Sequence, residues 1–467
     1  MRDSFRLVIL GAVFFLANCA IWLFAAGIRH PWLFAVCCLT GFGTMLLARV
    51  CAQTERRSVV LFVFSVAVGS RMVAFAAPPL LSDDLHRYLW DGKLVASGIN
   101  PYDYRPLDPA LQHLQDEHFN RLNSRHWYSV YPPLMQVLFG ISWKVFGDSL
   151  LGWKLIAMAA DIISLLLLWK LLWEWNCPRA TFLYYAWNPL VIWEAVGNGH
   201  SEVVAVCFML LALVAWRRHR AISGACWGLS ILAKLLPALG LVWIFTRSRR
   251  AGWMAVMTSL AGILLALRPR NFWHFFESLT LYPKFFAFNS LLYRIALQIS
   301  RALGFYWDNK IGFGMLALFL ASFLVINWRT VTAYRRTSGE IPSRAPKEAS
   351  LLDRYSDISP LQFVRFLQFV FTFYWILSPV GHPWYFLMLA WTMAPIPKAS
   401  LLWLSAALPF SYSAYRGSPP RDLTVVLCLE YIPFVLLWLW ELRKGEWRIA
   451  NDEFRTEELT AQPSETC

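Results

Sequence analysis

Charged residues are scarce in this sequence, and its cysteines show no pairing pattern. Only 15% of the 467 residues are Asp, Glu, Lys or Arg, whereas 58% are hydrophobic and 16% are aromatic. The nine cysteines include no C-x-x-C pair and fall mostly inside apolar stretches, which argues against a zinc site and against a disulfide framework. Apolar runs of about 20 residues recur along nearly the whole length instead. This pattern is typical of a polytopic helical membrane protein.

Acidic residues are few in relation to basic ones. The chain has 43 Lys and Arg against 29 Asp and Glu, which gives a net charge of +14. The basic residues lie mostly in short connections and at the ends of apolar runs, which is the positive-inside pattern of membrane proteins. A nucleic-acid-binding patch would be clustered on one face or segment. We therefore expect membrane lipid as a partner and no nucleic acid.

The apolar runs predict an all-α fold, a polytopic transmembrane bundle of about 12–14 helices. Arg49, Arg56 and Arg57 lie between the second and third runs, which places this connection and the N-terminus in the cytoplasm. The first large outer loop should contain amphipathic interfacial helices. The predicted parts are a transmembrane domain at 1–441, its outer loop at 78–127, its cytoplasmic loop at 329–359, and a cytoplasmic tail at 442–467.

One apolar run, 221–246, is interrupted at Lys234 and Pro237. Basic clusters flank it at 217–220 and 247–250, and both cannot be cytoplasmic if the run crosses the membrane once. A broken, re-entrant pair of short helices satisfies the charges. Such breaks occur where backbone lines a polar cavity, so this region is predicted to border a site.

The outer loop opens with two adjacent carboxylates, Asp83 and Asp84, where the third apolar run meets water. Charges at that boundary are costly unless they perform chemistry or hold a partner. The structural alternative is a helix start, because a serine that is a good N-cap precedes them and acids are favoured in a first turn. Arg87, Tyr88 and Asp91 follow Asp84 at helical spacing, which predicts one face of an amphipathic helix on the membrane surface.

These features fit one kind of chemistry. An enzyme that joins a sugar to an acceptor outside the membrane has no nucleotide sugar to use, so its donor must be carried on a lipid. It needs a bilayer groove for the polyprenyl chain, cations for the leaving phosphate, and a carboxylate at the water interface to take the acceptor's proton. The sequence offers all three kinds of part. The candidate phosphate cations are Arg87, Lys234, Lys284, Arg294 and His382.

Three motifs within 82–134 carry a resemblance to a known family. They are Asp-Asp-Leu-His-Arg-Tyr-Leu-Trp-Asp-Gly from Asp83, Gly-Ile-Asn-Pro-Tyr from Gly98, and Tyr-Pro-Pro-Leu from Tyr131. The chain resembles the polytopic glycosyltransferases of the GT-C superfamily. The likeness is closest to bacterial polyprenyl-phosphate-mannose mannosyltransferases and more distant to the GPI-anchor mannosyltransferases of eukaryotes. Weaker echoes lie at 198–202, 234–237 and 382–385.

The resemblance implies an acidic catalytic motif, carried here by Asp83 and Asp84 where many eukaryotic relatives have Asp-x-Asp. It implies inverting transfer of a hexose, with mannose favoured, from a polyprenyl-phosphate donor to a lipid- or glycan-linked acceptor on the outer face of a bacterial plasma membrane. Asp84 is favoured as the base because it shares a helix face with the next polar residues. The predicted substrate-binding residues are Arg87, Tyr88, Asp91, Tyr131, His200, Glu202, Lys234 and His382.

Alternatives stay open at this point. No cofactor is firmly expected, although a divalent metal bridging the acidic pair and the phosphate is an option. His200 with Glu202 can be a polar pair at a helix start, Lys234 can snorkel, and His382 can belong to an aromatic belt. Another alternative is a ligase that moves a whole glycan onto another carrier. A transporter or flippase of a lipid-linked saccharide would instead work through mid-membrane charges at Asp161, Glu194, Glu202 and Glu430.

Overall fold

The predicted all-helical class is confirmed by the computed structural model of the chain. The structure describes residues 2–27, 30–52, 56–79, 82–285, 287–305, 308–339, 360–416 and 422–447. Within these ranges no strand forms, and the only β-type contact is an isolated bridge between Phe288 and Val380. Most of the predicted cytoplasmic loop, from 340 on, and of the predicted tail, from 448 on, lies outside the described residues.

The helices follow one another along the chain with short connections. In order they are α1 Arg2–Gly27, α2 Pro31–Cys51, α3 Arg57–Ala76, α4 Asp84–Ala96, α5 Glu117–Asn120, α6 Pro133–Phe146, α7 Leu150–Glu174, α8 Leu183–Ala186, α9 Pro189–Ile192, α10 Glu202–Ala215, α11 Arg220–Ala233, α12 Leu241–Arg247, α13 Arg249–Ala266, α14 Pro269–Phe285, α15 Leu291–Ala302, α16 Asp308–Gly339, α17 Pro360–Leu377, α18 Leu387–Ala390, α19 Ala399–Ala407 and α20 Thr424–Arg443.

Six of the described helices are long and apolar enough to cross a membrane, namely α1, α2, α3, α7, α17 and α20. The number rises to eight if each of two bent helix pairs is counted as one span. These pairs are Pro189–Gly197 with α10, whose axes are bent by 111°, and α13 with Pro269–Leu281, whose axes are bent by 108°. Shorter apolar helical segments lie at Pro133–Phe146, Leu236–Arg247 and Lys310–Val325. The chain is thus a multi-pass membrane protein, in which several runs counted as spans in the sequence form short or broken helices.

The apolar run 180–197 is divided into short helical pieces that are buried on all sides. Asn188 causes one of the breaks, because the next residue is a proline and the Asn188 side chain accepts hydrogen bonds from Leu190 N and Val191 N. Irregular backbone at membrane depth is tolerated only where protein surrounds it. Trp187 in this run is surrounded by protein in this way: its Nε1 donates a hydrogen bond to Val63 O of α3 at 2.9 Å.

Arg71, in the third apolar run, faces a polar interior rather than snorkelling. Its guanidinium pairs with Asp161 of α7, and both side chains are fully buried. It also donates to Ala186 O at 2.8 Å, while Tyr185 Oη donates to Asp161 at 2.8 Å. A buried charge of this kind is tolerated only when it is paired and hydrogen-bonded. The pair therefore joins α3 and α7 to the irregular crossing.

The predicted break at Lys234 and Pro237 is confirmed. Helix α11 ends at Ala233, and a short 3-10 turn over Leu236–Gly240 leads into α12. At the other end of this hairpin, the Arg220 guanidinium lies over the Trp216 ring, and that ring is 6.5 Å from the Trp243 ring on α12. The basic clusters at both ends of the interrupted run consequently lie together, as their charge pattern requires.

Candidate active site

A cavity of about 1610 Å³ opens beside the N-terminus of α4. Its polar wall carries residues of the loop that opens α4, of the segment 120–132 and of the break after α11. Its apolar wall comes from α16, α17 and the turn after Lys234, with Leu316, Phe319, Phe371 and Leu236 among its residues. The cavity therefore joins a polar, charged mouth to a hydrophobic groove.

Asp84 is the first residue of α4 and lies in the wall of this cavity with 20% of its side chain exposed. Its Oδ1 accepts a hydrogen bond from Asn123 Nδ2 at 3.0 Å, and its Oδ2 lies 3.7 Å from His200 Nδ1. Burial raises the pKa of the Asp84 carboxyl, while His200 and the Asn123 hydrogen bond oppose that rise. The site thus holds a carboxylate that is partly desolvated yet supported.

Asp83 differs from Asp84 in its exposure and its contacts. It occupies the N-cap position of α4 without making a capping hydrogen bond, and its side chain is exposed at the mouth of the cavity. Ser82 Oγ instead accepts from Asp84 N at 3.3 Å. The acidic pair therefore does lie at a helix start, but Asp83 and not the preceding serine is the N-cap residue, and only Asp84 lies in the first turn. Both acids also line the cavity.

Arg87 and Asp91 form an ion pair along α4, with Arg87 Nε 3.0 Å from Asp91 Oδ1. The Arg87 guanidinium also donates to the carbonyls of Ser124 and Trp127 at 3.3 Å, so it fastens this loop onto α4. Asp91 was expected to contact substrate, but it is fully buried and lies outside the cavity lining. Its Oδ2 accepts from Ser129 Oγ at 2.5 Å, which gives it a bracing position instead.

Tyr88 and Tyr131 line the cavity beside Asp84. The Tyr88 ring stacks on Phe139 with centroids 4.7 Å apart and meets the Tyr131 ring edge-on at 5.0 Å. Burial raises the pKa of Tyr88 well above its usual range, so the phenol stays protonated and can act only as a neutral hydrogen-bonding group. These rings form a rigid wall behind the carboxylate.

Lys234 and Glu202 pair at the cavity wall, where the break after α11 meets the start of α10. The Lys234 ammonium also lies 4.6 Å from the centroid of the Tyr385 ring. Lys234 is 29% exposed, whereas Glu202 is almost fully buried. This cation is close enough to Asp84 to contribute to lowering the pKa of that carboxyl.

His200 and His382 sandwich the Trp384 ring, with centroid distances of 4.2 Å and 4.1 Å and nearly parallel planes. His382 lines the cavity, whereas His200 lies fully buried behind it. Burial, together with His200 and Lys234, lowers the pKa of His382 to about 3. His382 is therefore neutral near pH 7, which corrects its interpretation as a phosphate cation.

Of the other two candidate cations, only Arg294 has a described side chain. Arg294 on α15 donates to Asp422 O at 2.9 Å and is not part of the cavity lining. The side chain of Lys284 lies outside the described residues. Among the residues that the structure does describe, no three His, Cys, Asp or Glu side chains lie together as a metal-binding group. Of the predicted site residues, those on the cavity are Asp83, Asp84, Arg87, Tyr88, Tyr131, Glu202, Lys234 and His382.

Several groups at the site were not identified from the sequence. Asn123 is the direct partner of Asp84, Trp384 separates the two histidines, and Glu194 lies 3.3 Å from His200. Only Trp384 lay in a stretch already noted as a weak motif. Asn123 has no periodic or motif signal, because its function depends on a neighbour distant in the chain. Glu194 was named from the sequence only as a mid-membrane charge of the transporter alternative, not as a neighbour of His200.

A family model described as alpha-(1→6)-mannopyranosyltransferase, N-terminal domain, matches residues 8–249 of the chain. This match covers more than half of the sequence. The chain belongs to this family. It is a mannose-transferring glycosyltransferase, and the resemblance to mannosyltransferases is confirmed. No curated protein and no solved structure matched the chain.

The matched region of this mannosyltransferase contains most of the polar cavity wall, from Asp83 to Lys234. The remaining wall comes from the C-terminal half, in which His382, Tyr385 and the apolar residues of α16 and α17 lie. The cavity is thus assembled from both halves of the mannosyltransferase. Neither half could form it alone.

Proposed function

We propose that the cavity binds a polyprenyl-phosphate mannose donor and a mannose-containing acceptor, and that Asp84 is the base of an inverting transfer. One observation carries the proposal: a supported, partly buried carboxylate shares a single cavity with a hydrophobic groove and a lysine. A soluble nucleotide sugar has no need of such a groove. A lipid-linked donor needs it, because its prenyl chain must leave water.

The polar and apolar walls of the cavity orient the donor. The prenyl chain lies along the apolar wall formed by α16 and α17, and the phosphate lies at the junction with the polar wall. Lys234 meets the phosphate there, because an ammonium is a compact donor of charge-assisted hydrogen bonds. Glu202 and Tyr385 hold the Lys234 side chain from the other side.

The reaction is a single displacement. An acceptor hydroxyl loses its proton to Asp84 while its oxygen bonds to the anomeric carbon of mannose, and the bond from that carbon to the phosphate oxygen breaks. The phosphate leaves with the electron pair and is stabilised by Lys234. Since displacement inverts the anomeric carbon, an α-linked product, as the family name describes, requires a β-linked donor. Asn123 holds the Asp84 carboxylate in position to take the proton of the acceptor hydroxyl.

The cavity faces the outer side of the membrane in this proposal. Lys234 lies at one end of the hairpin formed by α11 and α12, and the basic clusters at 217–220 and 247–250 lie at the other. Clusters of Lys and Arg remain in the cytoplasm. A transporter reading has less support, because two of its expected charges, Asp161 and Glu194, are engaged by Arg71 and Tyr412 away from the cavity lining.

The test compares Asp84→Asn and Asp83→Asn in membranes supplied with radiolabelled polyprenyl-phosphate mannose. Loss of the general base should lower turnover by about 100-fold or more in Asp84→Asn. Asp83→Asn should retain more activity than this, since Asp83 is exposed and unsupported. Asp116→Asn is the matched control, because Asp116 pairs with Lys93 away from the cavity. Full transfer by the Asp84 variant, or labelling from a nucleotide sugar alone, contradicts the proposal.

A further inference from the structure

A second carboxylate, Glu194, lies buried behind Asp84 and has no part in the mechanism above. It is fully buried in the π-helical turn Trp193–Gly197. Tyr412 Oη donates to its two oxygens at 2.8 and 3.0 Å, and Asn198 Nδ2 donates to it at 3.1 Å. These donors fix the carboxylate in one orientation. A buried acid held this firmly needs a cationic neighbour to offset its charge.

His200 stands between the two carboxylates. Its Nε2 is 3.3 Å from Glu194 Oε2, and its Nδ1 is 3.7 Å from Asp84 Oδ2. The Trp384 ring fixes its plane from one side. Gly199 has φ of +65°, which turns the chain so that His200 N donates to Glu194 O at 3.0 Å.

No hydrogen-bond partner is assigned to either ring nitrogen of His200, although both are buried and each faces a carboxylate. An imidazole flanked by two acids gains most when it carries a proton, because both neighbours then become counter-charges. Among the described residues, the other charged or titratable groups around His200 and the two acids include Glu202, Lys234, His382, Cys38, Tyr88, Tyr412 and Tyr415.

We propose that His200 and Glu194 are positioning residues that form a carboxylate–imidazolium–carboxylate triad with Asp84. The positive charge of the His200 imidazolium keeps the Asp84 carboxylate ionised and able to take the acceptor proton, and Glu194 balances that charge from the other side. After the product has left, Asp84 gives the proton to water in the cavity. This inference rests on the proposed role of Asp84 as base and adds the groups that keep it ionised.

The triad predicts a pH effect that simple packing does not. Turnover requires ionised Asp84, so kcat falls as the pH falls through the pKa of that group. Removing the imidazolium, or the acid that stabilises it, raises the pKa of Asp84. The acid limb of the kcat profile should therefore move to higher pH by about 1 to 3 units in His200→Gln and in Glu194→Gln. KM for the donor should change by less than about threefold, because neither residue lines the cavity.

The experiment measures these profiles in membranes, with radiolabelled polyprenyl-phosphate mannose as donor and a synthetic α-(1→6)-linked dimannoside as acceptor. His382→Gln is the matched control: it removes the other ring stacked on Trp384 without touching Glu194, so its acid limb should coincide with that of the wild type whatever its rate. Coincident acid limbs in His200→Gln, Glu194→Gln and the wild type overturn the triad.

Two further variants separate the outcomes. If Asp84→Asn transfers mannose at the full rate, the proposed function fails. If it is inactive while the acid limbs of the His200 and Glu194 variants do not shift, only the triad fails. Should Glu194→Gln not accumulate, Glu194→Asp serves in its place, because it keeps the charge but retracts it from His200. Its acid limb should move in the same direction by a smaller amount, and an unmoved limb again overturns the triad.

Discussion

Asn123 Nδ2 donates a hydrogen bond to Asp84 Oδ1 at 3.0 Å, across 39 residues of chain. This contact ties the far end of the outer segment to the first turn of α4. It stabilises the ionised form of Asp84, since it lowers the pKa of a carboxyl that burial raises. The loop 120–124 is therefore part of the proposed active site and does more than connect two helices.

Replacing Asn123 by alanine should make transfer more sensitive to acid. A hydrogen bond to a charged group is worth about 1.5–3 kcal/mol, and its loss raises the pKa of Asp84 because the ionised carboxylate loses its donor. The acid limb of kcat/KM moves to higher pH, while activity well above that limb is reduced less. Asn120→Ala is the control, because Asn120 lines the cavity without a described bond to Asp84. Equal profiles for both variants would rule out this role.

Lys234→Gln should weaken donor binding. A charge-assisted contact of about 1.5–3 kcal/mol corresponds to a rise in KM for the donor of about 10- to 100-fold. The single change also leaves Glu202 buried without its cation, so the double variant Lys234→Gln/Glu202→Gln separates folding from binding. It should accumulate normally and still show the raised KM. Lys93→Gln, which breaks an ion pair outside the cavity, should leave KM unchanged.

A tryptophan at Leu316 should obstruct the hydrophobic groove. Leu316 lies on α16 in the cavity wall, whereas Leu318 on the same helix is 55% exposed and outside the lining. Leu316→Trp should raise KM for a long-chain donor by about tenfold, equivalent to about 1.4 kcal/mol. A donor analogue with a ten-carbon prenyl chain should be affected less. Leu318→Trp should behave as wild type with both donors, and equal effects of the two variants would argue against a lipid groove.

Gly92→Ala should destabilise the protein by separating α4 from α6. A Cβ at this position would lie 2.4 Å from Phe139 O, which is a backbone atom and cannot move aside alone. Overpacking of this kind costs about 1–3 kcal/mol. We expect a lower melting temperature in detergent and less folded protein in membranes. Gly43→Ala is the control, because nothing lies within 4 Å of its Cβ position.

Lowering the pH should destabilise the folded protein, because His382 can be protonated more easily in the unfolded chain. Burial lowers its pKa in the folded state to about 3, below the value of about 6.5 for an exposed histidine. Below pH 6.5 the unfolded chain binds this proton and the folded protein does not, so stability is lost as pH falls. At pH 5 the loss is about 2 kcal/mol. The drop in melting temperature between pH 7 and pH 5 should be smaller in His382→Gln than in wild type, and unchanged in His113→Gln, where the histidine is exposed.

The sequence by itself determined the features that depend on neighbours in the chain. Hydrophobic runs gave the all-α membrane class, Asp83 and Asp84 marked the start of a helix at the site, and Lys234 with Pro237 marked a break that borders the cavity. Periodicity, proline chemistry and charge placement act over a few residues, so a single sequence reveals them.

Only the tertiary structure decided which of these groups meet and in which charge state. Asp91 shares a helix with Asp84 yet points to Ser129, and Glu194 is held by Tyr412, 218 residues away. His382 is neutral because the fold buries it. Such contacts and burial arise between segments remote in sequence, and a pairing of this kind leaves no periodic trace in either segment.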